Sequence, residues 1–249
     1  MLTCLGAGLF IYLIYRLCCS VYNIVFPFFV LSPVDLRKKA GAKWAVVTGA
    51  TEGTGKAYAK EIAKKIGILV NNVGQFFEYP EVLHLVEGNL QSLTTSNTLP
   101  TVMMTAAVIP RMVKRRAGVI INISYGSAYT VAGYMSIYAA SKRFVVHLSK
   151  IIRLEYLHRG ITIQTVTAHV VATKQSKASS SFFVPNADDF AESALRTVGL
   201  TAETTGYFPH QPQAETMRLL PDFIVTRIVE WKMRRMRNER LAEKKRDQQ

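Results

Sequence analysis

Four short, largely apolar runs constrain this chain more than any other feature: residues 44–48, 66–70, 118–123 and 161–166. A strand with one wet face alternates apolar and polar residues, whereas these runs do not, so both of their faces are expected to be covered. The stretches between them carry helical patterns, at residues 56–65, at 89–114 with breaks expected near Pro100 and Pro110, and from Tyr138 to about His158. Residues 188–199 also read as helix, and residues 174–185, rich in serine and lysine, read as a loop. Strands alternating with helices predict an α/β fold with a doubly wound parallel sheet.

The N-terminus is different. Between residues 2 and 31 the only strong polar interruptions are Arg16, Ser20 and Asn23. That length can span a bilayer, although Arg16 divides it. No basic region precedes it and no A-x-A site follows, which argues against a cleaved signal peptide. Residues 1–35 therefore read as a membrane anchor, with an interfacial hairpin and a buried helix as alternatives. Residues 36–220 form the globular domain, and 221–249 a basic C-terminal helix opened by Pro221. Arg37, Lys38, Lys39 and Lys43 follow the apolar run and place the globular part on the cytosolic side.

The formal charge is +14, with Lys232, Arg234, Arg235, Arg237, Arg240, Lys244, Lys245 and Arg246 clustered near the C-terminus. Beside an anchor, anionic lipid headgroups explain that cluster more simply than nucleic acid. Cys4, Cys18 and Cys19 all lie in the apolar segment, so the globular part has no disulfide framework or cysteine metal site. The five histidines show no ligand spacing, and no metal site is expected.

Two features carry chemistry. Tyr138 and Lys142, four residues apart, share one helix face, and an ammonium near a phenol favours the phenolate. Gly49, Gly53 and Gly55 lie between a strand and a helix, where backbone N–H groups can approach a phosphate.

From about Lys43 onward the chain resembles the short-chain dehydrogenase/reductase family. The resemblance rests on Thr48-Gly-x-x-x-Gly-x-Gly55, Asn71-Asn-x-Gly74, Asn97 within a helix and Tyr138-x-x-x-Lys142, in that order. The apolar N-terminus and residues 191–207 resemble the membrane-bound branch of 17β-hydroxysteroid dehydrogenases and very-long-chain 3-oxoacyl-CoA reductases. The resemblance implies a Rossmann-type fold and an NADP(H) cofactor. Tyr138 would protonate a ketone oxygen, Lys142 would hold the nicotinamide ribose and lower the tyrosine pKa, and Asn97 would anchor a water relay. Thr48, Gly49, Gly53 and Gly55 would line the pyrophosphate, Asn71 and Gly74 would shape the adenosine side, and Val171 and Thr173 would flank the nicotinamide. It further implies a lipid or steroid substrate, an endoplasmic reticulum membrane, a homodimer as one assembly, and no nucleic-acid partner.

Two departures stand out. Thirteen residues before Tyr138, where the family has a serine, stands Tyr125, with Ser124 before it and Ser127 after it. Only fifteen residues separate Gly55 from Asn71, where the family places two further strands and a helix, as if a segment were excised between Lys65 and Ile66. The first strand should then become a bare sheet edge, and its crossover left-handed if the helix keeps its face. The expected function is NADPH-dependent reduction of a steroid 17-ketone or a long-chain 3-oxoacyl-CoA. The alternative is a catalytically impaired truncated chain that acts as a membrane-bound binding protein.

Overall fold

A computed structural model describes residues 2–41, 44–62, 67–76, 80–86 and 90–247. Lys43, Asn89 and the Lys65–Ile66 junction lie outside them. Five strands, β1 (Ala45–Val47), β2 (Ile68–Asn71), β3 (Gly118–Tyr125), β4 (Ile161–Ala168) and β5 (Glu203–Thr204), form one sheet. The helices are α1 (Leu2–Val25), α2 (Leu36–Ala40), α3 (Gly53–Ile62), α4 (Leu90–Arg115), α5 (Ser136–Tyr156), α6 (Ala187–Arg196), α7 (His210–Leu219) and α8 (Asp222–Asp247).

Every strand pair is parallel, and the order is β1-β2-β3-β4-β5. Side-chain alternation divides the sheet into two buried layers. Ile68, Val70, Val119 and Ile121 pack against Tyr58 of α3 and Phe190 and Ala191 of α6, joined by Leu36 and Ala40 of α2. Leu69, Ile120 and Ile163 pack against Val108, Ile109 and Met112 of α4 and Ile152 of α5. This is the doubly wound arrangement expected from the apolar runs.

The strand order runs in one direction, so the hand of each crossover is set by the face its helix covers. Helices α3 and α6 share one face, and α4 and α5 share the other. Two of the four crossovers are therefore left-handed, and the β1-α3-β2 unit has the opposite hand to the β2-α4-β3 unit beside it. β1 is three residues long, half-exposed and at the sheet edge.

Helix α4 is continuous, contrary to the expected breaks: Pro100 and Pro110 both lie inside it. Each proline removes one backbone hydrogen bond, at a cost of about 3 kcal/mol. Burial of Leu93, Val108, Ile109 and Met112 against the sheet keeps the helix intact. Three elements were not anticipated. Asp35 caps α2 by accepting from the N–H groups of Arg37 (2.9 Å) and Lys38 (3.4 Å). The other two are α7 and the two-residue β5.

Candidate active site

Helix α5 starts at Ser136 and turns Tyr138, Ser141, Lys142 and Val145 inward. Two hydroxyls fasten this turn: Ser124 Oγ donates to the Lys142 carbonyl (2.8 Å) and Ser141 Oγ to the Tyr138 carbonyl (2.8 Å). Asn97 on α4 clamps the loop after β2. Its Oδ1 accepts from the Gln75 N–H (2.6 Å), while its Nδ2 donates to the Gln75 carbonyl (3.0 Å) and to Ser141 Oγ (3.2 Å). That clamp sets Gly74 against Lys142, where an added Cβ would lie 2.7 Å from Nζ. Tyr138, Lys142, Asn97 and Gly74 are thus gathered at the carboxyl end of the sheet, where open α/β sheets bind ligands.

The electrostatics differ from expectation. Burial raises the Tyr138 pKa above its ordinary 10.0, and Tyr125 adds to the rise. Burial also lowers the Lys142 pKa to about 8. The expected lowering of the tyrosine pKa by Lys142 is therefore not found at this buried site. The ammonium sits over the Tyr138 ring, 5.6 Å from its centroid, and the ring edges of Phe76 (4.7 Å) and Tyr125 (5.8 Å) complete a dry enclosure. Desolvation outweighs attraction here.

Tyr125 ends β3 beside Tyr138, and burial pushes its pKa up to about 12. Ser124 faces the other way and is engaged by α5, as strand alternation requires. Ser127 keeps a buried hydroxyl with no hydrogen-bond partner among the described residues.

After β1, Gly49 (φ 65°) and Gly53 (φ 55°) adopt left-handed backbone and lead into α3. A Cβ on Gly55 would lie 2.1 Å from the Gly49 carbonyl oxygen and 2.5 Å from Asn72 Nδ2, so only glycine fits. Thr48 Oγ1 accepts from the N–H groups of Asn72 (3.0 Å) and Val73 (3.3 Å), which ties the turn to the loop after β2. The Thr173 methyl approaches the Gly53 position, and Ser176 Oγ accepts from the Thr173 N–H (3.0 Å) and donates to the Val171 carbonyl (2.7 Å). An exposed ion pair between Lys174 and Glu52 (2.8 Å) links that segment to the turn.

Two expected binding residues lie elsewhere. Asn71 points to the α4–α5 side, donating to Thr105 Oγ1 (3.1 Å) and Asn122 Oδ1 (2.8 Å), and Asn122 donates to Ser149 Oγ (2.8 Å). It ties sheet to helices, while Asn72 meets the glycine turn. Gly74 lies at the Lys142 end rather than the adenosine side. The adjacent asparagines carried a readable signal, since strand alternation sends only one of them toward α3.

A model of the short chain dehydrogenase family matches residues 60–182. The chain is 40% identical to a very-long-chain 3-oxoacyl-CoA reductase of Caenorhabditis elegans, covering 86% of this chain and 87% of the relative. That alignment runs over 275 positions; 86% of 249 residues is about 214, so about 61 positions of the relative have no counterpart here. It is 36% identical to a putative steroid dehydrogenase 2 of the same organism, over 96% of this chain and 95% of the relative. The fold is similar to that of a short-chain dehydrogenase from Sphingobium yanoikuyae solved in complex with NADPH, with a TM-score of 0.55, 23% identity, and coverage of 61% of this chain and 83% of that one. Ordered motifs, a doubly wound parallel sheet and extended identity converge: the chain belongs to the short-chain dehydrogenase family of oxidoreductases.

Proposed function

We propose that this chain is a membrane-anchored NADP(H)-dependent reductase of a lipid ketone, either a long-chain 3-oxoacyl-CoA or a steroid 17-ketone, at the endoplasmic reticulum with its globular part cytosolic. The observation that carries this reading is the enclosure in which Tyr138, Lys142 and the Asn97-clamped loop meet at the carboxyl end of the sheet.

The residues present fit a nicotinamide nucleotide at its pyrophosphate and nicotinamide ends. Gly49, Gly53 and Gly55 leave a backbone-lined cradle at the start of α3, with Thr48 bracing it and Thr173 bordering it; Val171, two residues before Thr173, would flank the nicotinamide. When bound, such a nucleotide supplies the hydride. The Tyr138 O–H would donate its proton to the substrate oxygen as the oxygen gains charge. Lys142, with a pKa of about 8, carries its proton at neutral pH, can bond a ribose hydroxyl and opposes charge left on Tyr138. Asn97, whose polar atoms hold both backbone groups of Gln75, positions the loop and would anchor a water relay. Tyr125 and Ser127 are the hydroxyls that would replace the family serine.

The printed names of the relatives support the substrate class, and exposed Phe182 and Phe183 on the loop after β4 suit an apolar chain. The second reading, a non-catalytic membrane-bound binding protein, is favoured by β1 at the sheet edge and by the unmatched positions in the relative. Titrating the detergent-purified chain with NADPH while following nucleotide fluorescence separates the two. Saturable binding with turnover of a 3-oxoacyl-CoA or a 17-ketosteroid is expected. No binding at millimolar nucleotide would establish the second reading.

A further inference from the structure

The polar interruptions of the apolar N-terminus lie on one face of α1, spaced four and three residues apart, and each is engaged by α7. Arg16 Nη2 donates to the Arg218 carbonyl (2.6 Å), Ser20 Oγ to Glu215 Oε2 (3.0 Å) and Asn23 Nδ2 to Glu215 Oε1 (3.2 Å). Glu215 is 4% exposed and also accepts from Gln211 Nε2 (2.9 Å) and Arg218 Nη1 (3.1 Å). Below this clasp the Phe29 ring meets Phe208 edge-on at 4.6 Å, just before α7.

We propose that Glu215 clasps α1 to the globular domain, so that the anchor enters one leaflet of the membrane without crossing it. The inference rests on the membrane reading of residues 1–35. Segment Gly6–Val30 has a mean hydropathy of 1.7 and is apolar enough to cross a bilayer. Crossing would place Arg16, Ser20 and Asn23 near its middle. They would then either leave their partners on α7 (the Arg218 carbonyl and Glu215) or draw α7 and its charges into hydrocarbon, and both are unfavourable. Kept in the clasp, they hold α1 from Arg16 onward against the protein. Residues 2–15 are then free to insert: fourteen residues at 1.5 Å each reach about 21 Å, short of the roughly 30 Å hydrocarbon core. The lipid-facing surface is the opposite side of the helix, where Phe10, Ile11 and Val21 are all more than half exposed.

The test uses the full chain with a polar N-terminal extension carrying an Asn-x-Thr glycosylation acceptor, translated with endoplasmic reticulum microsomes. The expected result is a product that pellets with membranes after carbonate washing and carries no glycan. The R16L/S20L/N23L chain, freed from the clasp and uniformly apolar, should become glycosylated, and this readout does not require the globular domain to fold. Glycosylation of the unsubstituted chain would overturn the clasp and leave the anchor reading standing. A chain that stays in the supernatant would overturn both. An unglycosylated triple variant would show that the polar face does not decide the topology, and the proposal would fall.

Discussion

Around Tyr138, side-chain hydrogen bonds interlock β3, α4, α5 and the loop after β2, and the rings of Phe76 and Tyr125 pack against Tyr138. Around Gly49–Gly55 the scaffold is thinner. β1 has three residues, half-exposed at the sheet edge, and α3 returns to β2 with a hand opposite to that of its neighbour. A bare parallel edge and a left-handed crossover are both disfavoured. The surroundings of Tyr138 are over-determined by buried polar contacts, while the glycine turn depends on backbone shape and few supports. Chemistry can survive in one half of a bipartite site while affinity is weakened in the other.

The largest test of that contrast is Tyr138→Phe. Loss of the proton donor should lower the reductase rate by roughly 10²–10⁴-fold while leaving NADPH affinity unchanged. An unaltered rate would remove Tyr138 from the chemistry. Next is Gly55→Ala. Its Cβ overlaps the Gly49 carbonyl oxygen, and overpacking of this kind costs about 1–3 kcal/mol. NADPH binding should weaken by about tenfold or more, since ~1.4 kcal/mol is one decade. Wild-type affinity in this variant would show that the turn does not hold the nucleotide.

Two neighbouring histidines, part-buried His169 just after β4 and buried His210 at the start of α7, predict a pH signature. Burial lowers the pKa values of His169 and His210 to about 4, from 6.5. Between those values the unfolded chain binds protons that the folded chain refuses, so stability falls as pH drops from 6.5 through 4 and is level above. Thermal midpoints across that range should show the decline, and His210→Gln should make it shallower, leaving the part due to His169. An equally steep decline in that variant would place the cause elsewhere. The smallest effect is expected for Lys174→Ala, which breaks an exposed ion pair with Glu52 at the phosphate end. Solvent screens such exposed pairs almost completely, so a large loss of stability or NADPH affinity would mean that this pair braces the turn.

Much of this molecule was legible because it rests on local rules. The apolar runs became β2, β3 and β4, the glycines fell at the start of α3, and Tyr138 and Lys142 share the buried face of α5, since strand and helix periods alone place them. The Tyr125 substitution was equally visible, with Ser124 turned away as alternation requires. Other features were not legible. The unbroken α4 needed sheet contacts to outweigh two prolines, and β5 is too short to leave a pattern. The resemblance sent Asn71 to the adenosine side, but only the sheet's two faces show that Asn71 meets Asn122 while Asn72 meets the glycine turn.

By itself the sequence determined the parallel α/β architecture, the family, and the pairing of a phenol with an ammonium on one helix. Hydrophobic periodicity and fixed spacing act within a few residues of each other. Tertiary structure alone decided the rest. Burial raises the Tyr138 pKa despite the ammonium of Lys142 over its ring, because loss of water disfavours the phenolate. Arg16, Ser20 and Asn23, mere interruptions in an apolar run, become one polar face once Glu215, nearly two hundred residues away in sequence, arrives to meet it.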